Sequence, residues 1–165
     1  MKSKKGVIIT IIVLVTITVA SFSVWQIPEN PKMMIVVTNF ESHLEGIDAR
    51  HELITNAVDN SLLKMLNDEI TPEELIAIAE ISSSQINSQI IELVESDAPE
   101  EWQESYLNYL ESLRSSNSYI REIIALSNLK IENSENNQID TILMKIEKLQ
   151  LDSAEYAKFS VNSRP

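Results

Sequence analysis

From Gly6 to Trp25 the chain runs for twenty residues without a charge (GVIITIIVLVTITVASFSVW). A backbone in hydrocarbon has no water to bond to, so such a run inside a bilayer folds as a helix or not at all. At about 1.5 Å per residue its length matches a hydrocarbon core of about 30 Å. Thr10, Thr16 and Thr18 can return their hydroxyls to carbonyls one turn back. Lys2, Lys4 and Lys5 precede the run and every acidic residue follows it. That asymmetry places the N-terminus in the cytoplasm and the remainder outside, with Trp25 at the interface. The expectation is a basic flank over 1–5, a single transmembrane helix over 6–25 and a cell-membrane location, with the lipid bilayer as the first partner.

A cleaved secretory signal is the rival, which would make the protein secreted. Ser21 and Ser23 are small enough for a cleavage site. The apolar run is longer than an ordinary signal core of about 7–15 residues and lacks an Ala-x-Ala site, so an uncleaved anchor is favoured. There is no cysteine to acylate, which excludes a lipoprotein. Lys4-Lys5-Gly6 before an apolar stretch resembles the processing site of archaeal type IV pilins. Ile11 stands where many pilins carry a glutamate, and Pro28 and Pro31 interrupt the long helix that pilins use.

Beyond the run, Ile27–Lys32 (IPENPK) reads as a proline-broken linker, and 26–32 is assigned to it. About 139 residues remain from Ile27 onward, enough for one domain with a modest core. Three of the 13 basic residues lie before the run, so ten remain against 25 acids, a net charge of −15. Such a surface disfavours nucleic acid and anionic lipid. It suits a solvated exterior domain or one that meets a basic partner. With no cysteine, thiol catalysis, disulfides and Cys-based metal sites are excluded. With only Gly6 and Gly46, glycine-rich phosphate loops are impossible and tight hairpins are disfavoured.

The pattern from Met33 onward is helical throughout. A first helix is expected over about Met33–Leu66, with Val37, Phe40, Leu44, Ile47, Ile54, Val58, Leu62 and Met65 on one face. Gly46 within it marks a bend or a close helix contact. Thr71-Pro72-Glu73-Glu74 combines an N-cap, a proline in the first turn and a capping-box glutamate. It opens a second helix with Leu75, Ala79, Ile86, Ile90 and Leu93 inward, ending near Ser96. Asp97-Ala98-Pro99-Glu100-Glu101 repeats the device and opens a third, with Trp102, Tyr106, Leu110, Leu113, Ile120 and Ile124 inward. Asn128–Gln138 is read as the third connection. Ile139, Ile142, Ile146 and Leu149 lead a fourth helix, and 160–165 is read as a frayed tail. Short polar connections make neighbours antiparallel. The fold class is therefore all-α: an N-terminal transmembrane helix, then an up-down four-helix bundle over 33–159.

The chemistry available is sparse. His43 and His51 are the only histidines, both on the first helix. Asp48 and His51 lie one turn apart, which is how a bundle begins a metal site, but a di-iron bundle needs such pairs from two helices. No cofactor and no metal are expected. His51 continues the core register, and Asn117 sits between Leu113 and Ile120 in the third helix. With Ser83, from the polar stretch Ser82–Gln85, they are the candidates for a polar layer that sets helix register. That stretch could equally line a small ligand cavity. The carboxylate pairs Asp68/Glu69, Glu73/Glu74 and Glu100/Glu101 fall in or near first turns, where the helix dipole accounts for them. No calcium loop and no nucleophile elbow is present. Trp102, Tyr106 and Tyr109 form an aromatic band, the candidate contact for a partner if it is exposed.

KKGVIITIIVL with Trp25 and Pro28 following, and APEEWQESYLNYL, together resemble small single-span helical proteins of ammonia-oxidising archaea. The exterior part is similar in plan to the four-helix ligand-binding modules of chemoreceptors, but with no second span or cytoplasmic signalling part expected here. The resemblance implies a helical domain held outside a membrane. The functional expectation is a non-enzymatic interaction or accessory protein of a membrane or envelope complex, with an unidentified protein partner and no nucleic acid; a homo-oligomer is compatible with it. The alternative is a sensor-type bundle that binds a ligand and signals through another membrane protein.

Overall fold

The computed structural model describes residues 36–132 and 136–165. Four helices occupy them: α1 (Phe40–Leu66), α2 (Pro72–Glu95), α3 (Glu100–Ile131) and α4 (Asn136–Asn162). No strand occurs among the described residues, and the helices pack as a bundle. The Gly6–Trp25 run and the linker lie outside the described residues. Among those described, no helix is long and apolar enough to cross a membrane.

The first two connections are built from a few local bonds. The capping box forms as the sequence predicts: Thr71 Oγ1 accepts from the Glu74 amide at 3.2 Å, and Glu74 accepts from the Thr71 amide at 2.8 Å. α1 closes with paired bonds, Glu69 N–H to Lys64 O at 2.8 Å and Asp68 N–H to Met65 O at 3.2 Å. This closure requires a left-handed residue, and Asp68 supplies it at φ 59°. In a chain with almost no glycine, aspartate serves because its short polar side chain tolerates that region. Asp97 does the same after α2, at φ 47°. It therefore terminates one helix and does not cap the next. The N-cap of α3 is Pro99, with no side-chain bond, so the second connection does not repeat the first.

Three boundaries differ from expectation. α1 begins at Phe40, not near Met33, because Asn39 Oδ1 takes the Ser42 amide at 2.9 Å and stops the helix there. α3 runs on to Ile131 with Lys130 in its last turn, where a cation suits the dipole, so the third connection is shorter than Asn128–Gln138. α4 continues through Ser160, which is fully buried, so the end of the chain is not a frayed tail. Gly46 is exposed, and a Cβ built on it would meet nothing within 4 Å, so it marks no close helix contact.

α3 is the central helix. Twelve of its side chains are buried, against three on α4. It packs on all three other helices, whereas no Cα of α4 comes within 8 Å of α1 or α2. The apolar core runs along α3 through Leu113, Ile120, Ile123 and Leu126, met by Leu44, Ile47 and Val58 from α1 and Leu75 and Ile86 from α2. Across α3 and α4, Ser112 Oγ donates to Ser153 O at 2.9 Å, and one heptad away Ser105 Oγ donates to Ser160 O at 2.8 Å. Side chain to backbone bonds this short require the two helices to approach closely, which serine permits and leucine would not.

Candidate functional site

α1 meets α3 through polar side chains at three levels, each built on a tyrosine of α3. At the first, His43 Nδ1 lies 2.8 Å from the Tyr106 hydroxyl and Nε2 lies 3.1 Å from Glu92 Oε1 on α2. Arg50 Nη2 donates to both oxygens of Glu92 at 2.8 Å. Burial, reinforced by the nearby Glu92 charge, pushes the Tyr106 hydroxyl up to about 12. At the third level, Asp59 accepts from the Tyr119 hydroxyl and from Gln150 Nε2 of α4 at 3.0 Å. Burial and that carboxylate both raise the Tyr119 hydroxyl far above its ordinary range.

The middle level is the most enclosed. Tyr109 donates its single hydroxyl proton to Asp48 Oδ1 at 2.8 Å. It must then accept from His51, whose Nδ1 is 3.1 Å away, so Nδ1 carries the imidazole proton. His51 Nε2 is left as an acceptor for Ser116 Oγ–H at 2.7 Å, and Ser116 Oγ is 2.8 Å from Ser153 Oγ of α4. A neutral ring is what this chain of bonds needs. Burial lowers the His51 pKa to about 4, against an opposing pull from Asp48. Burial, then the bond to Asp48, raises the Tyr109 hydroxyl far above its usual value. Beside this relay a cavity of about 270 Å³ opens between α1 and α4, lined by Asp48, His51, Asp59, Tyr119, Gln150 and Ser153 among others.

Ser116, His51 and the Tyr109–Asp48 pair are ordered as a nucleophile, a base and its orienting group would be. Acyl transfer also requires donors aimed at a developing oxyanion. Ser116 is in the middle of α3, where backbone amides are committed to the helix, and it is 2% exposed. What the arrangement does is hold one proton in place and fix α1 on α3. Among the described residues no three histidine, aspartate or glutamate side chains converge as a metal site would require.

The expected polar layer divides in two. His51 is buried at the centre. Asn117 is only half-buried: Ser83 Oγ donates to its Oδ1 at 2.6 Å, and its Nδ2 donates to Asn87 Oδ1 at 3.0 Å. The inward positions of α3 are Ser116, Tyr119 and Ile120, and Asn117 is turned toward α2 by one residue, about 100°. Ser83 and Asn117 thus clip α2 to α3 at the edge and do not meet His51. The aromatic band also differs from a contact surface. Tyr106 and Tyr109 are 5% and 3% exposed, with their hydroxyls already engaged. Trp102 is half-buried, its ring 6.4 Å from that of Phe40. Tyr106 and Tyr109 belong to the core that seats α1, and Trp102 alone of the three is partly exposed.

Three residues that matter here escape a reading by hydrophobicity. Tyr119 and Asp59 form the third level. Gln89, the neighbour of Ile90 that the inward face expected from the sequence does not include, is 4% exposed while Ile90 is half-buried. The signal was present in the spacing. Leu75, Ala79, Ser82, Ile86, Gln89 and Leu93 alternate steps of four and three without a break, the strict seam of two packed helices. Gln89 lines a groove of about 490 Å³ between α1 and α2.

Comparison with known proteins gives no match to this chain, whether by family model, among curated proteins or among solved structures. Neither resemblance noted in the sequence therefore has a matched relative behind it.

Proposed function

We propose that this chain is a non-enzymatic binding protein, tethered to a membrane by Gly6–Trp25, whose exterior bundle takes up a ligand and passes its state to another membrane protein through α1. The observation that carries the proposal is the seam between α1 and α4. No backbone contact closes it, a polar cavity lies in it, and the bonds across it are long side chains, Gln150 to Asp59 at 3.0 Å and Arg164 to Glu45 at 3.6 Å. A helix seated by hydrogen bonds can slide by an ångström or two and re-pair, as shear motions do. α1 is also the helix that follows the N-terminal run in the chain.

A second reading, a constitutive accessory subunit, is favoured by a different observation. Met144, Leu151 and Phe159 are 63%, 65% and 44% exposed on the face of α4 turned away from α3. In the full chain in native membranes, photo-crosslinkers at Asn60 on α1 and at Met144 on α4 separate the two readings. The sensor reading expects one membrane partner, with crosslinking at Asn60 that changes when small molecules are washed out. The accessory reading expects crosslinking at Met144 indifferent to washing. Recovery of the monomer alone at native levels overturns both.

A further inference from the structure

The outer face of α4 carries apolar residues where a surface helix ordinarily carries polar ones. At about 100° per residue, Met144, Lys148, Leu151, Glu155 and Phe159 fall within about 80° of one another, and all five are exposed. The buried residues Ile146, Ser153 and Ser160 lie on the opposite side of the helix, so the stripe points straight out from the bundle. Exposed apolar residues on α2 form no such line: Ile81, Ile91 and Val94 spread over about 140°.

The stripe is complementary to itself in reverse. Consider the α4 of a second copy laid antiparallel across it, on a twofold axis between Leu151 and Asp152. Met144 then faces the partner's Phe159, Lys148 faces the partner's Glu155, and Leu151 meets the partner's Leu151 at the centre. Both charged contacts join opposite signs. A parallel pair would set lysine on lysine and glutamate on glutamate. Among the described residues Lys148 and Glu155 make no ion pair, whereas Lys145, on the flank of the stripe, holds Glu122 of α3 at 2.6 Å.

Charge also selects this helix. The chain from Ile27 onward carries a net charge of −15, so most of its surface repels a copy of itself. α1 carries five acids against two bases, α2 five against none, α3 five against three and α4 four against three. The helix nearest neutrality is the one that bears the stripe.

We infer that the protein pairs with a second copy of itself through α4, antiparallel about a twofold axis beside Leu151, with Met144 and Phe159 of each copy covered by the other. The pairing rests on neither functional reading, because the stripe lies away from the seat of α1. It does give the apolar face of α4 an occupant, so that face needs no different subunit to cover it. Antiparallel pairing starts the two α1 helices at opposite ends, about 40 Å apart, the length of a 27-residue helix. Residues 26–39 can reach at most about 50 Å, so both of the proposed tethers can enter one membrane.

The chain has no cysteine, so introduced ones report alone. In the full chain in detergent micelles under a mild oxidant, Leu151→Cys is expected to form a disulfide-linked dimer. Met144→Cys and Phe159→Cys are each expected to stay largely monomeric alone, since about 22 Å would separate each from its own counterpart, and to link when mixed. Lys148→Glu sets like charges on both sides of the axis. It is expected to raise the dimer dissociation constant about tenfold, read by sedimentation at low salt. Glu155→Lys does the same, and the two changes together in one chain restore pairing, which separates lost pairing from lost folding. Failure of Leu151→Cys to link overturns the proposal. So does self-linking of Met144→Cys as strong as linking in the mixture, which makes the pair parallel. A double exchange no better than Lys148→Glu also overturns it. In native membranes, a crosslink from Met144 to a different protein in place of a second copy overturns it and leaves the accessory reading standing. The sensor reading is decided separately, at Asn60.

Discussion

α1 and α4 are both 27 residues long and both pack on α3, yet they are held in opposite ways. α4 is held by serines. Ser105, Ser112 and Ser116 face Ser153 and Ser160, and with so little side chain between them the backbones themselves accept the bonds. α1 is held by long side chains: three tyrosines, two histidines and two aspartates reach across the gap. Small residues fix a seam by bringing the two backbones together. Large polar residues fix a seat by hydrogen-bond matching and leave a cavity beside it, about 270 Å³ here. The first kind of contact has one arrangement; the second can have more than one.

The largest test of this contrast enlarges a serine in the tight seam. Ser112→Leu puts bulk between two closely approaching backbones and removes the bond to Ser153 O, so urea denaturation should record a loss of about 4 kcal/mol. Tolerance to within about 1 kcal/mol would mean the α3–α4 seam is as adaptable as the seat of α1, and the comparison would collapse. The next test acts on α1 through pH. His51 falls from 6.5 unfolded to about 4 folded, so its neutral form is the one the fold holds. The stability this contributes is complete above about pH 6.5 and is lost as pH falls through 4, up to about 3 kcal/mol. His51→Gln should flatten that window in a pH series of melting curves. An unchanged profile would place the loss on the surrounding carboxylates instead.

The smallest expected effect is a control. Gly46→Ala adds a methyl group to the exposed face of α1 where nothing stands within 4 Å. It should stabilise the fold by about 1 kcal/mol through helix propensity alone. A loss would show that α1 is strained at Gly46 and would sharpen the view that its seat is the adaptable one.

Much of this fold is legible from the chain alone, because helix signals are local. Thr71-Pro72-Glu73-Glu74 names a helix start, and the spacing of Leu44, Ile47, Val58 and Leu62 names a buried face. The seat of α1 is less legible, for a physical reason. Whether Tyr109 is a surface anchor or a core acceptor depends on what stands opposite it, and its partner His51 is 58 residues away. Asn117 misled because a polar residue amid apolar neighbours shows its own register only to within one position, and one position on a helix is the difference between centre and edge. Gln89 misled for the converse reason. Apolar Ile90 stands beside it and reads as the inward residue, although the unbroken four-three spacing favours Gln89.

The tyrosine seat also orders events in time. The serine bonds between α3 and α4 span 37–55 residues of chain, and the bonds between α1 and α3 span 58–66. Contacts that close shorter loops form sooner. Of the four bundle helices α1 is made first, and its seat on α3 closes after its own shorter-range contacts with α2 and after those of the serines between α3 and α4. While it waits, part of the surface it will cover on α3 consists of hydroxyls, which water can serve as a temporary partner. A seat built wholly of leucines would have been adhesive during that interval. One built partly of tyrosine and serine can stand open without harm.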